Sequence, residues 1–232
     1  LIKLVKPKPE PKPKPGTKPK PKSEISRERP RRGHIEGKEL RELNDKKREE
    51  LIKKYYKENG IKINDKKSKE IYNSVKDFTG SDYSEIREIQ RDGIEKFLKN
   101  HPKMSKKIAN NYKKMADNLD DFIKNSPKYT EETIYRGIDI NENMVNEIFK
   151  EGKTFLDKGV SSYSNVAGEA RQHGSVILQV TNKSGVSAKA FSSYSGESEI
   201  LIPKGTKYMV KNIVKETTEF GRKITKVFME EI

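Results

Sequence analysis

Two glutamates stand two positions apart at the entrance to a short apolar run late in the chain. Glu197 and Glu199 flank Ser198, and the run Ile-Leu-Ile follows directly. Alternate residues of a strand point to the same side, so both carboxylates would face one way. Because like charges side by side repel, the pairing favours a site that uses two carboxylates over a merely solvated surface.

Three other segments offer polar side chains. Arg136 follows the run Thr-Ile-Tyr, Ser162 and Ser164 lie in a hydroxyl-rich stretch, and Tyr83 closes the turn Phe-Thr-Gly-Ser-Asp-Tyr. Taken singly, each is typical of an ordinary surface, because a strand-end arginine is usually an ion-pair partner and a Ser-rich strand an exposed face. The four segments together, in this order, indicate one site.

This order and spacing resemble the ADP-ribosyltransferase exotoxin family, which includes the iota-type actin-modifying toxins and the Rho-modifying exoenzymes. The family pattern runs from aromatic-Thr-Gly-x-x-Tyr to a strand-end Arg, then Ser-Thr-Ser, then Glu-x-Glu or Gln-x-Glu. The resemblance covers about residues 66–232, and GESEILIPKGTKY is its most specific part. The sequence departs from the pattern at Tyr163, where the family has Thr, at Arg87, where it has Asn, and at Gln90, where it has Leu.

The resemblance implies an α+β fold in which a helical N-terminal flank precedes a mixed, mostly antiparallel two-sheet sandwich with an NAD cleft between the sheets. It implies that Glu199 stabilises the oxocarbenium-like cation that forms when nicotinamide leaves NAD, as carboxylates do in glycosidases. Ser162 would orient Glu199. Arg136 would grip the pyrophosphate, because a guanidinium is always charged and forms two parallel hydrogen bonds.

The resemblance also suggests further contacts with NAD, which is expected as a substrate. Tyr83 would pack against it, Arg91 would add a second phosphate contact, and Gly137 and Ser164 would line its site. Arg171 is either a third phosphate contact or an ordinary surface arginine.

Glu197 is expected to decide the acceptor. In the family, Glu at this position accompanies modification of arginine, and Gln accompanies modification of asparagine. A guanidinium, with a pKa above about 12, needs a carboxylate to orient it and take its proton. The partner implied is therefore an arginine of a target protein, with an actin-like protein or a small GTPase as candidates. Tyr194 is either a contact to that target or an ordinary turn aromatic.

Three other functions stay open. An NAD glycohydrolase, with water as acceptor, needs every one of these residues except Glu197. A non-catalytic binding protein would be favoured by loss of Glu199 or Arg136, and both are present. A basic nucleic-acid-binding module would use residues 6–32, but no aromatic residue there offers a stacking platform for bases, so nucleic acid is not expected as a partner.

The composition of the chain excludes several other kinds of functional site. The absence of Cys excludes disulfides, thiol catalysis and Cys-based zinc sites, and the three His residues have no metal-ligand spacing. We therefore expect no metal. No apolar run approaches the roughly 18–20 residues needed to cross a bilayer, so we expect no membrane span.

The charge is concentrated at the start of the chain, where residues 1–35 carry 12 Lys and Arg and 3 Asp and Glu out of a net +15. Lys-Pro repeats at residues 6–22 exclude helix and sheet interior, which predicts an extended spacer. We expect a linker over 1–35, a charged helical extension over 36–65 and a catalytic domain over 66–232. The spacer and the missing initiator Met suggest a part of a larger protein, secreted or delivered into a target cell by an upstream module.

Apolar periodicity predicts the elements that must position the site. Helices are expected over residues 36–59, 66–78, 84–99, 104–124 and 142–150. Strands are expected over residues 133–135, 154–161, 175–180, 199–202, 208–214 and 223–228.

Overall fold

The computed structural model describes residues 33–193, 198–218 and 221–232. The chain divides into residues 1–41 and residues 42–232, and the packing below concerns the second unit. Most of the predicted linker, residues 1–32, lies outside the described residues.

Six helices are present in the part of the chain that the structure describes, and most begin within three residues of the predicted position. They are α1 Gly33–Glu58, α2 Asp65–Phe78, α3 Tyr83–Asn100, α4 Lys106–Asn125, α5 Glu142–Ile148 and α6 Ala167–Ala170. The starts of α2 and α4 are fixed by capping, because the side chains of Asn64 and Ser105 accept hydrogen bonds from backbone amides three residues on. The sequence did not predict α6 or the 3₁₀ turn Arg171–His173, which are too short to show a helical period.

The helices pack around an apolar core that also touches the sheet. Ile52 and Tyr56 of α1, Ile71 of α2 and Ile86 of α3 are at most 1% exposed in this core. Strand and loop residues complete it, namely Val160, Val186, Ala188, Phe191 and Leu201. This core holds the start of α3, which carries Tyr83, against the strands.

Among the described residues, eight strands are hydrogen-bonded in the order β2-β7-β8-β4-β1-β3-β6-β5. They are β1 Thr133–Ile138, β2 Thr154–Asp157, β3 Ser161–Ser164, β4 Val176–Thr181, β5 Val186–Ser187, β6 Glu199–Ile202, β7 Thr206–Thr217 and β8 Lys223–Glu231. Only β4 and β8 pair in parallel; the other neighbours are antiparallel. The predicted α+β class with mixed, mostly antiparallel strands is confirmed.

The two predicted sheets correspond to two parts of this order. β1 pairs with β4 at six positions but with β3 at a single one, Tyr135 opposite Ser164. Five strands therefore lie on one side of the β1–β3 junction and three on the other.

The single strand predicted over residues 154–161 is wrong, because β2 and β3 belong to different parts of the sheet. β2 pairs with β7, and β3 pairs with β6. Arg87 of α3 reaches the residues between them and donates from Nε to the carbonyl oxygen of Val160 over 2.9 Å. A Cβ on Gly159 would lie 2.7 Å from Cγ of Arg87, so glycine is required where the helix approaches this turn.

Candidate active site

A cavity of about 610 Å³ lies at the β1–β3 junction, where hydrogen bonding between the two parts of the sheet is reduced to one pair. Its volume is within the range of about 300–1,000 Å³ typical of small-molecule sites. Six residues predicted from the sequence line it: Tyr83, Arg136, Gly137, Ser162, Ser164 and Glu199. The fold thus brings together side chains from α3, β1, β3 and β6.

Glu199, the first residue of β6, is a buried carboxylate held at both oxygens. It is 7% exposed. Its Oε1 accepts a hydrogen bond from the Ser162 hydroxyl over 2.7 Å, and its Oε2 accepts one from the Ser192 hydroxyl over 3.1 Å. A buried charge requires such donors, and two of them fix the direction in which the carboxylate faces the cavity.

Ser192 is a member of this site that sequence reasoning missed. It follows a turn after β5, and its hydroxyl reaches Glu199 because β5 pairs with β6. The sequence signal is weak, since Ser192 is one of two adjacent serines without a characteristic spacing from the glutamates.

Arg136 is held on three sides. Its Nη2 donates to the Tyr83 hydroxyl over 2.5 Å, and its Nη1 lies 3.3 Å from Oδ2 of Asp157. The guanidinium carbon stands 5.8 Å from the centroid of the Tyr163 ring, within cation–π range. Burial lowers the pKa of Arg136, but neighbouring Tyr83, Tyr163 and Asp157 raise it overall, so the guanidinium stays charged.

Asp157 joins Arg136 to a second arginine. Its side chain is 6% exposed, and Oδ1 accepts a hydrogen bond from Nη2 of Arg87. Its Oδ2 also accepts one from the Ser161 hydroxyl over 2.9 Å. Sequence reasoning noted Arg87 only as a departure from the family pattern and did not single out Asp157. The available signal was the spacing of Arg87, one helical turn after Tyr83.

Ser164 lines the cavity, but its hydroxyl is hydrogen-bonded to the residues that follow β3. It donates to Oε2 of Glu169 over 2.5 Å and accepts from the backbone amide of Val166 over 2.9 Å. These bonds order the chain between β3 and α6.

Gly137 marks a close approach between β1 and α6. A Cβ at this position would lie 1.8 Å from the carbonyl oxygen of Ala170, and backbone cannot move aside as a flexible side chain can. The absence of a side chain at Gly137 is therefore required by the packing of α6 on β1.

Replacing Gly137 by Ala is expected to lower the free energy of unfolding by about 1–3 kcal/mol, the cost of overpacking a filled site. Gly168→Ala is the matched control, because its Cβ would meet only a Val166 methyl at 3.9 Å. Denaturant unfolding of both variants measures the difference. Equal stabilities would mean that α6 moves off β1 at little cost.

Two predicted site residues, Arg91 and Arg171, are not among the residues that line the cavity, and two others fall outside the described residues. Arg91 is exposed on α3, one turn beyond Arg87. Arg171 is exposed in the 3₁₀ turn, and its carbonyl oxygen accepts from Nη1 of Arg222 over 3.2 Å. Glu197 and Tyr194 lie outside the described residues, so their roles stay predictions.

The described residues hold neither a candidate metal site nor a candidate membrane span. Within residues 33–193, 198–218 and 221–232, no group of three or more His, Asp and Glu side chains is placed to hold a metal ion. Over the same ranges, no helix combines the length and apolarity needed to cross a bilayer.

In the comparison with protein-family models, residues 37–231 match the family described as ADP-ribosyltransferase exoenzyme. No curated protein sequence matches the chain.

Solved structures of bacterial ADP-ribosyltransferases share the fold. Vis from Vibrio splendidus, solved in complex with agmatine, superposes with a TM-score of 0.58 at 18% identity, over 88% of this chain and 87% of its own. Plx2a from Paenibacillus larvae gives 0.57 at 21% identity, over 82% and 96%. Exoenzyme S from Pseudomonas aeruginosa, in complex with human 14-3-3 protein beta and bound to Carba-NAD, gives 0.53 at 22% identity, over 70% and 74%.

Proposed function

The chain belongs to the ADP-ribosyltransferase exoenzyme family, whose members use NAD as their substrate, and we propose that it transfers ADP-ribose from NAD to an arginine of a target protein. The observation that carries this proposal is the position of Glu199. Its buried carboxylate, oriented by two hydroxyls, lines the same cavity as the guanidinium of Arg136.

The lining of the cavity suits the chemical parts of NAD. The guanidinium of Arg136 matches the charge and fork geometry of a phosphate, and the carboxylate of Glu199 matches a ribose hydroxyl. Phe78, Tyr83 and Tyr135 add aromatic surface to the same cavity, which suits a flat heterocycle.

Glu199 supplies the electrostatics of bond cleavage. When the bond between nicotinamide and ribose breaks, the electron pair leaves with the nicotinamide nitrogen and positive charge develops on the ribose. A carboxylate fixed beside that ribose stabilises the charge without reorganising. Its burial strengthens the effect, because Coulomb attraction grows as the effective dielectric falls.

Two observations support arginine as the acceptor: the presence of Glu197 and the structure of a similar protein, Vis. Agmatine carries the same guanidinium group as arginine, and the structure of Vis with agmatine supports a guanidinium acceptor for this fold. Glu197 stands in the first position of the Glu-x-Glu pair, where it would orient the guanidinium and accept its proton. Water can replace arginine as the acceptor, which gives NAD hydrolysis as a side reaction.

Action in a target cell completes the proposal. A bacterial neighbour, exoenzyme S, forms a complex with a human protein, which supports a working place inside a host cell for this family. An upstream module joined through the Lys-Pro segment at residues 6–22 would deliver the enzyme.

The test is incubation of the full chain with NAD labelled in its adenylate part, once with agmatine and once with a cell lysate. We expect labelled agmatine and at least one labelled protein band, with ADP-ribose on an arginine by mass spectrometry. Free ADP-ribose without any labelled acceptor would replace the proposal with a glycohydrolase. No consumption of NAD would overturn it entirely.

A further inference from the structure

Two departures from the family pattern, Arg87 and Tyr163, meet around one functional side chain. Tyr163 places its ring beneath the guanidinium of Arg136, and Arg87 binds the carboxylate of Asp157, which Arg136 also contacts. The two arginines take different oxygens of that carboxylate, Oδ1 for Arg87 and Oδ2 for Arg136.

The charges of this cluster decide what Arg136 can do. A lone pair of Arg136 and Asp157 would be neutral and would present no net charge to a pyrophosphate. With Arg87 added, the three side chains carry a net charge of +1. We propose that Arg87 is a positioning residue. It neutralises the negative charge of Asp157, so that the guanidinium of Arg136 remains available to bind the phosphates of NAD. This inference rests on the proposed function.

The contacts of Asp157 show that its carboxylate binds Arg136 only weakly. The 3.3 Å contact from Nη1 of Arg136 is at the long end of the hydrogen-bond range, and Ser161 occupies the same oxygen at 2.9 Å. Arg136 is therefore only loosely bound to the carboxylate.

Arg87 is itself fixed in place as the partner of Asp157. Its Nε donates to the carbonyl oxygen of Val160 over 2.9 Å, and its guanidinium carbon lies 5.9 Å from the centroid of the Tyr83 ring. Both arginine side chains are largely buried, at 13% exposure for Arg87 and 14% for Arg136. At this burial the loss of one charge is poorly screened by solvent.

Removal of Arg87 should therefore weaken substrate binding more than chemistry. Among the described side chains, Asp157 would then have Arg136 as its one cationic partner, and NAD would have to compete with that carboxylate for the guanidinium. Because Glu199 and its two serines are untouched, the rate of bond cleavage in bound NAD should change little.

The test compares Arg87→Gln with the double variant Arg87→Gln/Asp157→Asn in NAD hydrolysis by the full chain. Arg87→Gln is expected to raise KM about tenfold, the factor for one charge-assisted hydrogen bond of about 1.4 kcal/mol, with kcat within about twofold. The double variant restores the net charge of +1 and should return KM close to the wild-type value. A double variant as weak as the single one would overturn the proposal, because it would show that Arg87 acts on NAD directly.

Controls separate this effect from global charge and from folding. Lys113 and Asp117 form an exposed pair on α4. Lys113→Gln lowers the net charge by one, as Arg87→Gln does, and should leave KM unchanged. If Arg87→Gln fails to fold in thermal denaturation, Asp157→Asn alone removes the carboxylate that competes for Arg136 and should leave KM at or below the wild-type value; a rise of about tenfold there would overturn the proposal. Absence of NAD consumption by the wild type, with and without agmatine, would instead contradict the proposed function.

Discussion

Replacement of Glu199 by Gln is expected to lower kcat for NAD hydrolysis and for protein labelling together, by a factor of about 10²–10³ or more, the scale of losing one preorganised electrostatic contact. The amide keeps the size of the carboxylate but removes the negative charge that stabilises the developing cation. The Ser162 and Ser192 hydroxyls donate to different oxygens of Glu199. In the glutamine variant one hydroxyl can still donate to the amide oxygen, and the other can rotate to accept from the amide NH2 group. Initial rates of nicotinamide release and of label transfer measure the two activities.

Glu231→Gln is the matched control for this variant. Glu231 is also a buried glutamate, 6% exposed, but it accepts from the backbone amides of Lys183 and Ser184 and does not line the cavity. Its amide variant should keep both activities. If Glu199→Gln retained more than about a tenth of wild-type kcat, Glu199 would not be the group that stabilises the cation.

The sequence predicted those parts of the site that lie on regular elements. Glu199 opens the strand expected over 199–202, and Arg136 directly follows the strand expected over 133–135. Ser162 lies one residue beyond the strand expected over 154–161, and the family pattern joins the three. The structure places all three on one cavity.

The residues that support this site could not be predicted in the same way. Asp157 falls within a run whose alternation continues past it, so the break between β2 and β3 is decided by strand pairing and by the approach of Arg87. Ser192 lies in a loop whose position depends on β5, a strand of two residues. These contacts join distant parts of the chain, and local periodicity carries no information about them.

The pair Arg87 and Arg91 shows the limit of a helical pattern. They stand four positions apart on α3, so both lie on nearly the same face of the helix. One turn advances the chain by about 5.4 Å along the axis, and Arg87 reaches Asp157 while Arg91 is exposed. Periodicity gives the face of a residue but not which turn meets the sheet.

Replacement of Glu197 by Gln should separate the two activities that Glu199→Gln removes together. Arginine labelling is expected to fall by about 10²-fold or more, the usual contribution of a positioned general base, while NAD hydrolysis stays within a few-fold of wild type. A guanidinium keeps its proton at neutral pH and attacks only when a carboxylate orients it and takes that proton. Water needs no such help to capture the cation that Glu199 stabilises.

Agmatine and a lysate protein serve as parallel acceptors in this comparison, since agmatine offers the guanidinium without a protein surface. Loss of labelling on both acceptors, with hydrolysis kept, places the function of Glu197 at the guanidinium itself. Loss on the protein alone would instead give Glu197 a role in docking the target. Undiminished labelling of agmatine and protein would remove the case for Glu197 as the base. Equal loss of hydrolysis in Glu197→Gln and Glu199→Gln would mean that the two carboxylates act on NAD as one unit. In that case Glu197 would not be the residue that selects arginine as the acceptor.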